Sequence, residues 1–318
     1  MEIIDFEKKR KEQEKKNKSS KSGTEALFLE KAITLSEALP YIKKFAGEIF
    51  VIKFGGNAMG DKKIVKEFAK DIVLLKKIGI NPIVVHGGGP QIGAMLKKLQ
   101  IQSKFIDGLR VTDRETVDIV EMVLSGSINK DLVAAINKEG GLAIGLSGKD
   151  ANLIEAKKIR RTKKDKDSNI EKILDLGFVG EPTTINPEIF IALDESDVIP
   201  VIAPIGVGKN GETYNINADT VAGKIAEAVG ACKLIMLTDV DGLLDKNGKL
   251  VSKVSGSEID VLTNQKVISG GMIPKTMTCI NAVENGVESA HILNGTVPHI
   301  LLVEVFTEIG AGTMIKDD

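Results

Sequence analysis

Two lysines and one aspartate stand beside glycine turns in this sequence. Lys53 precedes Gly55-Gly56, Lys275 follows Gly270-Gly271, and Asp219 sits in the polar run Tyr214-Asn-Ile-Asn-Ala-Asp-Thr220. Glycines let a backbone approach an anion closely, helix N-termini offer free N–H groups, and lysine adds a point charge for phosphate. Such a set would position anions and neutralise charge developing on a transferred phosphoryl group.

Arg110, in Ile106-Asp-Gly-Leu-Arg-Val-Thr-Asp113, reads either as a bidentate clamp for a substrate carboxylate or as an ordinary surface ion pair. Asn215, Asn217 and Asp219 suit ligand contact or plain turn chemistry and helix capping. The acids of Asp239-Val-Asp-Gly-Leu-Leu-Asp245 are spaced like part of a calcium loop. They lack its further ligands and follow a buried strand, so calcium is rejected.

The elements that must carry these groups repeat one layout. Ile49–Phe54 reads as a buried strand that breaks into Gly55-Gly56, and Asp61 caps a helix with apolar residues from Ile64 to Ile78. Ile83-Val-Val-His-Gly-Gly-Gly-Pro90 is a second strand ending in glycines, with Pro90 suited to the first turn of a helix. Thr112 or Asp113 caps a helix over Thr116–Asn137, and Leu142–Gly148 is another strand and glycine turn. Asn152–Ile159 and Ile173–Val179 read as a solvated hairpin around the charged loop Arg160–Asn169. Pro187–Leu193 is a short helix and Val198–Pro204 a strand, followed by a flexible loop with Gly206, Gly208 and Gly211. Asp219-Thr220 opens a helix, Lys233–Thr238 is a strand, and Lys275 opens a helix on Met277, Ile280 and Val283. Ser289–Leu293 and Ile300–Val305 are read as strands, and Ile309–Met314 as a closing glycine loop.

Strands alternating with helices give an α/β fold with an open, mostly parallel sheet, whose glycine turns share a crevice at the carboxyl edge. Neither a GxGxxG fingerprint nor a GxxxxGK[ST] loop occurs, which argues against a nicotinamide dehydrogenase or a Walker-type kinase.

Bulk properties fit a soluble globular protein of one large domain or two lobes: 318 residues, 42% hydrophobic and 27% charged. A net charge of −1 and the absence of Trp argue against a nucleic-acid surface. Cys232 and Cys279 lack framework spacing, as in a reducing cytosol, and the charged N-terminus carries no apolar signal core. A cytoplasmic protein without membrane span is expected. His86, His291 and His299 are scattered or loop-bound, so no metal site is expected. Residues 1–24 read as a disordered charged tail. Ala26–Ala46 carries a helical apolar stripe, with Pro40 as a break or kink, which packs on its own sheet or on a partner subunit.

Six segments, KFGGNAM (53–59), VVHGGGPQI (84–92), DGLRVT (107–112), YNINADTVA (214–222), LTDVDGLL (237–244) and GGMIPK (270–275), together resemble the amino-acid kinase family. In order and detail they resemble its acetylglutamate kinase branch, from about Leu27 to Lys316. The first glycine motif alone is shared with aspartokinases, glutamate 5-kinases, carbamate kinases and uridylate kinases.

The resemblance implies a three-layer αβα sandwich in two lobes. Residues 47–225 would bind acetylglutamate and dimerise, and residues 226–318 would bind ATP and carry an arginine site. The implied reaction transfers the γ-phosphoryl group of ATP, accompanied by Mg2+, to the side-chain carboxylate of N-acetyl-L-glutamate, giving N-acetyl-L-glutamyl 5-phosphate in arginine biosynthesis. Lys53 and Lys275 would stabilise the transition state from opposite sides, with Asp219 orienting both. Gly55, Gly56 and Gly88 would offer N–H groups to the phosphoryl group, and Gly88 and Gly89 would face the substrate. Arg110 would clamp the α-carboxylate and Asn215 the acetamido end. Asp239, Val240, Asp241, Gly242, Leu243 and Leu244, with Gly271 and Met272, would line the nucleotide site.

Glu37–Ile42 together with the segments at His291 and at Glu304–Gly310 resembles the arginine-inhibited branch. There the helix at 25–46 interlaces dimers into a homo-hexamer, and Tyr41, His291, Glu304 and Gly310 would line the L-arginine site. A PII-type protein is a further partner that the resemblance admits. The competing readings are a sibling kinase for another carboxylate, such as aspartate, and a non-catalytic ligand-sensing protein on the same fold.

Overall fold

The structure, a computed structural model, describes residues 28–106, 108–164, 171–308 and 310–317. The expected tail over 1–24, the helix start at Ala26 and Leu27, residues 165–169 of the expected loop, Asp107 and Ile309 lie outside the described residues.

The elements follow in chain order. Helix α1 (28–45) leads into β1 (Ile49–Phe54), a 3-10 turn at Gly56–Gly60, α2 (Lys62–Lys77), β2 (Asn81–His86) and α3 (Gly89–Lys98). The short pair β3 (Phe105–Ile106) and β4 (Leu109–Arg110) precedes α4 (Arg114–Glu121), a π-helical turn at Met122–Ile128 and α5 (Asn129–Lys138). Next come β5 (Ala143–Ser147), β6 (Ile154–Lys158), β7 (Arg161–Lys164), β8 (Glu171–Leu174), β9 (Val179–Ile185) and α6 (Glu188–Asp194). Strands β10 (Ile199–Ala203), β11 (Ile205–Val207) and β12 (Thr213–Ile216) are followed by α7 (Ala218–Ala228), β13 (Lys233–Thr238) and β14 (Lys253–Ser255). The chain closes with α8 (Gly256–Asn264), α9 (Met272–Glu284), β15 (Ser289–Asn294), α10 (Ile300–Phe306) and β16 (Thr313–Lys316).

The main sheet has eight strands in the order β14-β16-β15-β13-β1-β2-β10-β5. Every neighbouring pair is parallel except β15 with β16. Strands β11, β12, β9 and β6 close a small barrel. Period-two alternation of side chains sorts the main sheet into two buried faces. Phe50, Ile52 and Phe54 pack with residues of α2, α5 and α10, whereas Val51 joins residues of α7 and α9. Helices therefore cover both faces, giving an α/β fold with a mostly parallel central sheet.

Several expectations change. Ile300–Val305 is a helix, not a strand: Leu301 and Val305, one turn apart, enter the core together while Glu304 turns toward β15. The last strand is instead Thr313–Lys316, at the end of the expected glycine loop. The expected loop after β10 contains the antiparallel pair β11 and β12. The solvated hairpin is two pairs, β6 with β9 and β7 with β8, so part of the expected charged loop is strand. Helix α1 continues through Pro40, whose missing N–H frees only the carbonyl of Ser36, an exposed residue open to water. The single helix expected over Thr116–Asn137 is a continuous helical run with a π turn inside it.

Candidate active site

Parity along β1 decides where Lys53 points. It lies on the same side as Val51, the side covered by α7 and α9. Helix α7 begins at the carboxyl edge because Asn217 caps it, its side chain accepting from Asp219 N at 2.8 Å and Thr220 N at 3.1 Å. Asp219 thereby occupies the first turn of α7, and Lys275 the first turn of α9. Three distant segments meet there. Lys53 Nζ lies 2.9 Å from Asp219 Oδ1, and Lys275 Nζ donates to Asp219 Oδ2 at 2.6 Å. Contact of Oδ1 with Lys53 is an ion pair without hydrogen-bond alignment. Burial opposes charge on Asp219, but the two ammonium groups outweigh it and hold the carboxyl below its ordinary range.

The glycines make room for this. A Cβ on Gly55 would meet Lys53 Nζ at 2.9 Å, and one on Gly88 would meet Leu124 at 2.5 Å and Ile128 at 2.6 Å. Gly87 N donates to Phe54 O at 2.8 Å, which ties the two glycine turns together. The π turn supplies Leu124 and Ile128, which pack against Gly88.

Arg110 is buried at the end of β4. Nη2 donates to Gly89 O at 3.1 Å, Nη1 bonds Ser103 Oγ, and the guanidinium lies 4.6 Å from the Phe105 ring centre. Thr112 joins two expected binding residues: its hydroxyl donates to Arg110 O at 2.8 Å and accepts from Asn215 Nδ2 at 3.4 Å. Lys53, Gly56, Gly88, Gly89, Arg110, Asn215, Asp219 and Lys275 all line one cleft of about 310 Å3. Ser103 and Thr112 were not legible in the sequence, since a hydroxyl in a loop carries no spacing signal.

The expected nucleotide residues stand further along the same edge. Lys53 pairs in register with Met236, and the chain leaves β13 two residues later at Thr238, so Asp239 opens a neighbouring loop. Asp239, Val240, Asp241 and Leu244 are exposed; Gly242 and Leu243 turn inward. Gly242 has φ +146° and no space for a Cβ, which would lie 2.6 Å from Thr313 Oγ1. Asp241 accepts from Asn294 Nδ2 at 2.7 Å. Gly271 caps α9 and Met272 begins it, beside Lys275.

A second polar cluster forms between α1, β15 and α10. Tyr41, His291, Glu304 and Gly310 line a cleft of about 350 Å3 together with Lys233. His291 Nδ1 donates to Glu304 Oε1 at 2.6 Å, and Nε2 accepts from Lys233 Nζ at 3.0 Å. Ala311 N donates to Glu304 Oε2 at 2.7 Å, and Gly310 has φ +67°, with Glu304 Oε2 where a Cβ would crowd it. Burial lowers the pKa of both His291 and Lys233. Lys233 was missed; a lysine opening an apolar strand was the available signal.

Among the described residues, no helix is long and apolar enough to cross a membrane. The family model for the amino acid kinase family matches residues 48–294. The acetylglutamate kinase of Rhodospirillum rubrum is 61% identical over 289 residues, covering 91% of this chain and 93% of that one. The chain belongs to the amino acid kinase family. Solved structures share the fold at lower identity. The N-acetylglutamate synthase of Neisseria gonorrhoeae, complexed with coenzyme A and N-acetyl-glutamate, superposes with TM-score 0.78 at 24% identity over 90% of this chain. The same synthase with coenzyme A and L-arginine gives TM-score 0.75 at 22% identity over 90% of this chain. This kinase-family chain spans 63% and 65% of those synthase chains.

Proposed function

We propose that the chain is an ATP-dependent kinase that phosphorylates the side-chain carboxylate of N-acetyl-L-glutamate. The observation that carries this reading is the pair Lys53 and Lys275 on one buried carboxylate, facing a cleft that also holds Arg110 and Asn215. High identity to acetylglutamate kinases over nearly the whole chain supports the substrate.

The carboxylate nucleophile is already ionised near neutral pH, so the site needs no general base. Its work is to place two anions against each other and offset the charge that builds on the phosphoryl oxygens. Two ammonium groups with one carboxylate leave a net positive charge, and Asp219 fixes both cations before substrate arrives. Gly55, Gly56 and Gly88 add backbone N–H groups; a Cβ would be crowded at Gly55 and Gly88, and Gly56 has φ +71°, which favours glycine. Arg110 takes the α-carboxylate, Asn215 the acetamido group, and Gly88 with Gly89 the substrate's flank. Asp239–Leu244, Gly271 and Met272 would hold ATP along the edge, and Mg2+ accompanying it would supply further neutralisation of phosphate charge.

The cluster of Tyr41, His291, Glu304 and Gly310 is read as a site for L-arginine, the pathway's end product. Glu304 supplies an anion for a guanidinium, and α1 delivers Tyr41 beside it. Exposed apolar residues along α1, Phe28, Leu29, Ile33, Leu35 and Leu39, suit a helix buried between subunits, as in a hexameric ring.

The test is ATP consumption with N-acetyl-L-glutamate, L-glutamate and L-aspartate offered in parallel, each with and without L-arginine. Turnover confined to the acetylated substrate and suppressed by arginine is expected. Turnover with another carboxylate would overturn the substrate but keep the mechanism, and folded protein without any turnover would favour a sensing role.

A further inference from the structure

His86 is fully buried at the end of β2, at the mouth of the Gly87-Gly88-Gly89 turn, and the mechanism above does not use it. It pairs in register with Phe54, so its ring points away from Lys53, toward the layer of α5. There the ring is held at both nitrogens. Nδ1 lies 2.8 Å from Gly87 O, and Nε2 lies 3.3 Å from Asn129 Nδ2.

The protons can be assigned by elimination. Gly87 O only accepts, so Nδ1 carries the hydrogen. Asn129 Nδ2 also donates to Val201 O at 2.9 Å, which fixes the amide's orientation and makes it a donor to Nε2. Asn129 Oδ1 in turn takes Lys130 Nζ at 3.2 Å. Gly145 leaves the space for this: a Cβ there would stand 1.7 Å from Asn129 Oδ1. Burial pushes the His86 pKa down to about 4, in keeping with a neutral ring.

We propose that His86, as the neutral Nδ1–H tautomer, is a positioning residue that aims the Gly88 N–H into the reaction cleft. A trans peptide is planar, with its C=O and N–H pointing in opposite directions. Pulling Gly87 O inward onto His86 therefore turns the N–H of Gly88 outward, toward the cleft that Lys53 and Gly89 line. Leu124 and Ile128 pack against Gly88 where a Cβ would stand, which further limits its movement. This deepens the kinase reading and rests on it for its effect on turnover.

Two measurements test it. Nitrogen-15 correlation spectra of the ligand-free chain, with His86 assigned by its loss in His86→Asn, should show Nδ1 protonated and Nε2 bare at about pH 7. Kinetically, His86→Asn puts an amide N–H near the Nδ1 position and should stay within about threefold of native kcat. His86→Phe fills the space without a donor, and His86→Gln places its amide toward Nε2; each should lower kcat by roughly tenfold to a hundredfold, more than it raises KM. An Nε2–H tautomer, an imidazolium, equal loss in His86→Asn and His86→Gln, or a native-like His86→Phe would overturn the assignment. Absence of turnover in the unaltered chain would instead sink the proposed function, and the tautomer would then decide the case of His86 alone.

Discussion

Lys275 Nζ donates to Asp219 Oδ2 at 2.6 Å across 56 residues of sequence, joining the first turns of two helices. Asp219 also faces Lys53, so one carboxylate serves a buried cation and a half-buried one. Removing it leaves both lysines without a counter-charge. Asp219→Asn is expected to destabilise the fold by roughly 3–5 kcal/mol, read as a lower urea midpoint. The sign with pH follows from its lowered pKa. Its contribution is present above the ordinary value of 3.8 and is lost as pH falls through the lower folded value. Below about pH 4 the unaltered chain should therefore lose stability more steeply than Asp219→Asn; parallel curves would exclude a structural role for this charge.

Lys53→Ala removes one of the two cations without touching the sheet's hydrogen bonds. Circular dichroism should match the unaltered chain while kcat falls by on the order of a hundredfold or more. A near-native kcat would remove Lys53 from the reaction.

Arg110 offers a planar fork that lysine cannot copy. Arg110→Lys and Arg110→Ala should both raise KM for N-acetyl-L-glutamate by roughly tenfold or more and leave KM for ATP within about twofold. An equal rise for both substrates would mean that Arg110 holds the loop and not the carboxylate.

Asp71 is buried on α2 beside His299, whose Nδ1 lies 2.6 Å from Asp71 Oδ1. Burial raises its pKa to about 6 despite the opposing effect of His299. A raised carboxyl pKa means stability that is full below the unfolded value of 3.8 and lost as pH rises through about 6. Melting curves across that window should fall for the unaltered chain and flatten for Asp71→Asn. No difference between the two slopes would contradict the assigned protonation.

Glu304→Gln keeps the size of the side chain and discards its charge. L-Arginine should inhibit the unaltered chain cooperatively, and the substitution should raise the half-inhibitory concentration by roughly tenfold or more. An unshifted inhibition curve would move the effector elsewhere, and a flat response of the unaltered chain up to millimolar arginine would remove it.

The glycine turns and their charged neighbours were legible because each follows a short apolar strand, and parallel strands put their carboxyl ends on one edge. That reading singled out Lys53, Asp219 and Lys275; it left Arg110 and Asn215 open between ligand contact and ordinary structural roles, and the family resemblance placed them in the substrate site. Where it failed, local pattern and tertiary context disagreed. Ile300–Phe306 is a short apolar run that periodicity cannot assign; burial of Leu301 with Val305 made it a helix. Strands β7, β11 and β12 are short pairings that charge or glycine content disguised as loops. His86 and Thr112 reach Asn129 and Asn215, partners distant in sequence that no local window contains, and Ser103 is a loop hydroxyl without a spacing signal.

Strand β1 sits between β13 and β2, yet β13 begins at Lys233. While the chain is being synthesised, β1 acquires its β2 neighbour within a few dozen residues and its β13 neighbour only after most of the protein has emerged. Until then Ile-Phe-Val-Ile-Lys-Phe, with a single charge, is an open sheet border of the kind that recruits other chains. A nascent or truncated product ending before Lys233 should be prone to aggregation, and any dependence on chaperones should be concentrated in that interval of translation.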